Sequence, residues 1–209
     1  MTNSRVLLAL DAGVRESGWA VFEDGATVTT GVIGVGTKRR TEAQARIAQL
    51  VESLDLLVER WSPGEVAHSL PSGIRWPVPA LDLLGDKLVQ WAMRHGLPVH
   101  AYTSQEVREA MTGHPNASRD QLAYAVMVSL GLIGQGKTTH EWEALAVGRY
   151  DLTLQAAGST LKATRPSASG KRLFTSGDRH RQSVFHRWNR TTPIGIVGAV
   201  GIVGVIEIH

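Results

Sequence analysis

The sequence predicts an α/β domain built on a mixed five-stranded sheet, three antiparallel strands followed by two parallel ones, flanked by helices and ending in a C-terminal tail. Three observations carry this. The first 35 residues read as three short apolar runs separated by turn residues, which is hairpin patterning. From Thr41 onward, helical spacing alternates with short strand-like runs, the order that makes parallel pairing. Beyond residue 157 the periodicity stops.

In chain order, Leu7-Leu8-Ala9-Leu10 is an apolar run that ends on Asp11, and Trp19-Ala20-Val21-Phe22 resumes it after a glycine-bearing turn. Glu23-Asp24-Gly25 supplies a hairpin turn, and Ala26 to Val35, rich in Thr, Val and Ile, is the third strand. Between Thr41 and Trp61, Ile47, Leu50, Val51, Leu54, Leu57 and Val58 follow helical spacing until Ser62-Pro63-Gly64 stops them. Glu65-Val66-Ala67-His68 is a short fourth strand. Leu70 to Pro79 holds three prolines and is expected to be a loop. A helix over 80–95 uses Leu83, Leu84, Leu88 and Trp91, and Val99-His100-Ala101-Tyr102 is the fifth strand. Thr103 with Glu106, Ser118 with Gln121, and Thr138 with Glu141 each show capping-box spacing at a helix start.

Composition bounds the rest. The 209 residues are 43% hydrophobic and 20% charged, enough for one good core. No cysteine is present, which excludes disulfides and thiolate zinc sites. Residues 1–158 carry 14 Lys and Arg against 17 acids, and residues 159–209 carry eight against two. A domain over 1–157 and a basic flexible tail over 158–209, closing in a Gly/Ile/Val-rich segment, is the expected division. The tail could meet nucleic acid through phosphate contacts. The N-terminus shows no signal-peptide pattern and no stretch is a convincing membrane span, so a cytoplasmic protein is expected.

Asp11 is the residue that asks for a chemical explanation. A carboxylate at the end of a core strand is costly unless a cation or hydrogen bonds compensate it, and turn formation, metal binding and phosphate-loop binding all remain open. His140 and Glu143, three apart on the last helix, share a face and can point at one ion. Two-metal nucleases gather such ligands on strand ends and helix faces. Lys38, Arg39 and Arg40, with the Arg75-Trp76 loop, are candidate DNA contacts.

Over about Val6 to Asp151 the chain resembles the RuvC-type Holliday-junction resolvases of the RNase H-like superfamily. Asp11-Ala12-Gly13 with Gly18-Trp19-Ala20-Val21 is similar to that family's D-P-G-x-x-x-x-G-[YW]-[GA]-[VI] turn, with Ala12 in place of proline. Tyr102-Thr103-Ser104-Gln105-Glu106-Val107 and Met111-Thr112-Gly113 resemble Y-x-P-x-x-V-K-x-x-x-x-G, and Ala117 to Leu122 resembles the start of the next helix. His140 to Val147 sits where the family has [DH]-x-x-D-A-L-A-[VI].

The resemblance implies an RNase H-like fold and a Mg2+- or Mn2+-dependent endodeoxyribonuclease, a homodimer, acting on branched DNA. It implies catalytic and metal-binding roles for Asp11, His140 and Glu143. The family's V-A-x-E at the end of the fourth strand is read here as Val66-Ala67-His68, which makes His68 the fourth ligand. A histidine there gives either a site with two nitrogen ligands, suited to manganese, or a protein that binds junctions without cutting, and the active nuclease is the reading taken. Two other readings stand beside it. An RNase H-like enzyme processing RNA precursors shares the fold, and an actin-like ATPase also begins with Asp-x-Gly but needs a second lobe.

Overall fold

A computed structural model describes residues 4–35, 42–70 and 78–163, with side chains through 158. Lys38, Arg39, Arg40, Arg75, Trp76 and the Gly/Ile/Val-rich segment lie outside the described residues. The elements are β1 (Val6–Asp11), β2 (Glu16–Glu23), β3 (Ala26–Gly34), α1 (Ala43–Trp61), β4 (Glu65–Leu70), α2 (Pro79–Arg94), β5 (Val99–Thr103), α3 (Ser104–Thr112), α4 (Arg119–Ser129) and α5 (Thr139–Ala163). They form one sheet of order β3-β2-β1-β4-β5. β1, β2 and β3 pair antiparallel, while β4 and β5 join β1 in parallel, as expected from the sequence.

β1 is central, so it has no solvent face and reads as an unbroken apolar run. Its side chains alternate between two cores. Leu7 and Ala9 join Ala20, Phe22 and Ala67 under α5, together with Val107 of α3 and Leu122 and Val126 of α4. Leu8 and Leu10 join Val21 and Val66 under α1 and α2, against Ile47, Leu50, Leu54, Leu84, Leu88 and Trp91. Each fully buried leucine contributes roughly 1.5–3 kcal/mol. The register is therefore tightly held, since a one-residue slip would exchange the two faces and drive Asp11 into the α1/α2 core.

α5 lies close to the sheet because small residues let it. A Cβ on Gly18 would collide with the backbone carbonyl of His140, and one on Gly148 would collide with the Phe22 ring. Gly18 thereby fixes how near the first turn of α5 comes to the β1–β2 turn. That turn is tied by the Ser17 hydroxyl, which accepts from Gly13 N–H at 3.0 Å and donates to the Gly13 carbonyl at 2.9 Å. All three capping boxes form, at Thr103/Glu106, Ser118/Gln121 and Thr138/Glu141.

Two boundaries differ from the sequence reading. β4 continues past His68 to Leu70, because parallel pairing with β5 carries on through Ser69↔Tyr102 and Leu70↔Thr103. α5 runs unbroken across the residue-157 boundary to Ala163. Among the described residues, no helix is long and apolar enough to cross a membrane.

Candidate metal centre

Asp11 leaves the C-terminal end of β1 on the α5 side of the sheet. His140 and Glu143 stand in the first turns of α5, and the three side chains bring their ligand atoms within 4.8 Å of one another. His140 Nδ1 is 2.7 Å from Asp11 Oδ2, and the Ser69 hydroxyl donates to Asp11 Oδ1 at 2.8 Å. The group opens into a cavity of about 270 Å³ that Arg108 and Arg119 also line. Arg108 Nη2 lies 2.7 Å and Arg119 Nε 3.6 Å from the same Glu143 oxygen. Arg108 Nε is buried with no hydrogen-bond partner among the described residues.

Each group's protonation follows from these contacts. Burial alone would raise the Asp11 carboxyl, but hydrogen bonds from His140, Glu143 and Ser69 together outweigh it and hold the group below its ordinary value. The hydrogen bond to Asp11 outweighs burial at His140 and holds its imidazolium above the usual histidine range. Glu143 goes the other way. Burial first, and the neighbouring Asp11 charge second, push its carboxyl up to about 7, against the pull of Arg119 and Arg108. Two carboxylates this close do not both ionise readily without a cation between them, and a divalent ion supplies one. The donor set therefore fits a hard or borderline divalent metal.

His68 is not in this group, which corrects the fourth ligand inferred from the sequence. β1 and β4 pair in parallel with Leu10 opposite His68, so His68 shares the Leu10 face and points under α2. It is 3% exposed and sits beside Leu81, Leu84, Gly85 and Leu88. Burial lowers its pKa, its Nδ1 lies 3.2 Å from the Ser69 carbonyl, and its Nε2 has no partner among the described residues. The neighbouring residue, Ser69, takes the place beside Asp11. Counted along the strand, Val66-Ala67-His68-Ser69 puts Ser69, not His68, in the last position of the V-A-x-E pattern.

Sequence reasoning missed Ser69, Arg108 and Arg119. A signal existed for two of them. Ser69 has the strand parity of Ala67, which packs under α5. Arg108 follows Val107 where the quoted Y-x-P-x-x-V-K pattern has its lysine. Nothing local marks Arg119, which reaches the site from the N-terminus of α4.

Comparison with known proteins bears on the family and the fold. Residues 7–149 match the family model described as crossover junction endodeoxyribonuclease RuvC. The RuvC of Anaeromyxobacter sp. (strain K) is 32% identical over 156 residues, covering 72% of this chain and 82% of that protein. The RuvC of Pelodictyon phaeoclathratiforme is 28% identical over 170 residues, covering 79% and 88%. Among solved structures, T. thermophilus RuvC in complex with Holliday junction substrate superposes with a TM-score of 0.63 at 21% identity, covering 74% of this chain and 97% of that one. At that identity the likeness speaks for the fold.

Proposed function

This chain belongs to the crossover junction endodeoxyribonuclease RuvC family, and we propose that it is a metal-dependent endodeoxyribonuclease that nicks four-way DNA junctions in recombination and repair. The observation that carries the reading is the meeting of Asp11, His140 and Glu143 within 4.8 Å, in a cavity that two arginines share.

Asp11, His140 and Glu143 would hold a magnesium or manganese ion. Such an ion, when bound, polarises a phosphoryl oxygen and makes a bound water a competent nucleophile. The protein's own part is positional and electrostatic. Asp11 is held ionised on a rigid central strand, and Ser69 fixes its rotamer through the Oδ1 hydrogen bond. Glu143 exchanges its proton near neutrality, so it can give up that proton when a cation arrives. Arg108 lines the cavity with its Nη2 anchored on Glu143, so its guanidinium is held in place as positive charge for a phosphate. Arg119, with a side chain 64% exposed, extends the positive rim outward. As a homodimer acting in the cytoplasm, it would present two such cavities to one junction.

Incubating a synthetic four-way junction with the full chain and Mg2+ or Mn2+ tests this. Nicking is expected under at least one metal. Asp11→Asn should lower it by roughly a thousandfold, ~4 kcal/mol of transition-state stabilisation, while junction binding persists. Binding without cleavage by the parent chain under both metals would overturn the reading, and faster cleavage of structured RNA than of the junction would redirect it.

A further inference from the structure

Resting on the metal-centre reading, we propose that this cavity takes a single divalent cation, and that Ser69 sets that number. Two cations some 3.5–4 Å apart need several anionic oxygens to bridge and neutralise them. The described cavity is lined by two carboxylates, one imidazole and two serine hydroxyls, those of Ser69 and Ser104. Asp11 is the one carboxylate that reaches it from the sheet. Ser69 stands beside it on β4, and its hydroxyl is turned onto Asp11 Oδ1 as a donor. It brings an oxygen to the site but no charge.

The arginines sharpen the shortage. Arg108 and Arg119, both within 3.6 Å of the same Glu143 oxygen, already set positive charge against that carboxylate, while neither is paired with Asp11. One dication can displace an arginine from Glu143 and be held by Asp11, His140 and Glu143. A second would meet two guanidiniums and the first ion with no further carboxylate in the cavity lining to neutralise it. A magnesium-type ion needs only one or two protein carboxylates, with water and substrate phosphate completing its shell. The donor set thus suffices for one ion and falls short for two. A carboxylate at position 69 would lie on the same face as Asp11, on the neighbouring parallel strand, and supply the missing charge.

Manganese titration of the metal-stripped full chain, read by electron paramagnetic resonance of free Mn2+ and by calorimetry, decides this. Sites are counted as those lost on Asp11→Asn. The expected count is one per chain in the parent and in Ser69→Ala, rising to two in Ser69→Glu or, with a shorter arm, Ser69→Asp. Circular dichroism and thermal melting in metal-free buffer establish that each variant is folded. Two sites in the parent would overturn the single-ion proposal and leave the metal centre standing. No Asp11-dependent site would overturn both. A count of one in folded Ser69→Glu and Ser69→Asp would remove Ser69 from its role. The parent count is read without any variant, so a misfolded substitution does not protect the proposal.

Discussion

Two groups of carboxylate and histidine lie under α5, one near each end of β4, and they differ in what neutralises them. Glu65, His100 and Asp151 also bring ligand atoms within 4.8 Å of one another. Around them, however, the protein has filled the role of a cation. Arg5 binds both Glu65 oxygens at 2.7 and 3.0 Å. Asp151, fully buried, accepts from the Tyr102 hydroxyl at 2.6 Å and meets His100 Nδ1 at 2.6 Å. Gln155 donates to both acids, at 3.1 and 2.5 Å. The cluster of Asp11, His140 and Glu143, about 12 Å away along α5, borders an open cavity instead, and its two acids depend on each other's proton. The same residue types make a staple where fixed partners complete them and a ligand site where completion is left to something that arrives.

The comparison can be broken in three ways. The largest expected effect is at the staple. Asp151→Ala leaves Tyr102, His100 and Gln155 facing an empty buried position and should cost about 3 kcal/mol in urea denaturation, with the manganese count unchanged. Unchanged stability, or a lost metal site, would mean that the two clusters have been assigned the wrong way round.

A smaller effect follows from protons at the open cluster. Below about pH 7 Glu143 keeps its proton, by burial first and Asp11 second, and His140 is held protonated by Asp11. Metal must displace these protons, so manganese affinity should climb by about tenfold per pH unit for each proton displaced, with the Glu143 contribution levelling off above about pH 7. In the metal-free chain the sign reverses. Glu143, raised from its ordinary 4.5, adds stability that is fully present below that value and is lost as pH rises through about 7. Calorimetry across pH 5.5–8.5 checks the first and thermal melting the second. A flat affinity profile would separate Glu143 from the ion.

The smallest effect is at His68. His68→Leu replaces a buried, unpartnered imidazole nitrogen with apolar surface on the α2 side of the sheet. Stability should shift by less than about 1 kcal/mol, and metal count and nicking rate should stay within twofold of the parent. A collapse of cleavage in a folded His68→Leu chain would return His68 to the site.

Most of the architecture is legible in the chain because it is local. The apolar run of β1, the spacing of Ile47, Leu50 and Leu54, and the three capping boxes each fit within a few turns or one strand, where side-chain period decides structure. Asp11, His140 and Glu143 are legible as well, since a charge ending a core strand and an i, i+3 pair on a helix are local anomalies. Which residue of β4 stands next to Asp11 is a different kind of fact. It depends on the register Leu10↔His68 between strands more than 50 residues apart, and one step along a strand exchanges the faces. Two cores packed on opposite sides of the sheet hold that register, and it gives the place beside Asp11 to Ser69 and buries His68 under α2. The approach of Arg108 and Arg119 to Glu143 is likewise a product of how α3, α4 and α5 pack, which no single segment encodes.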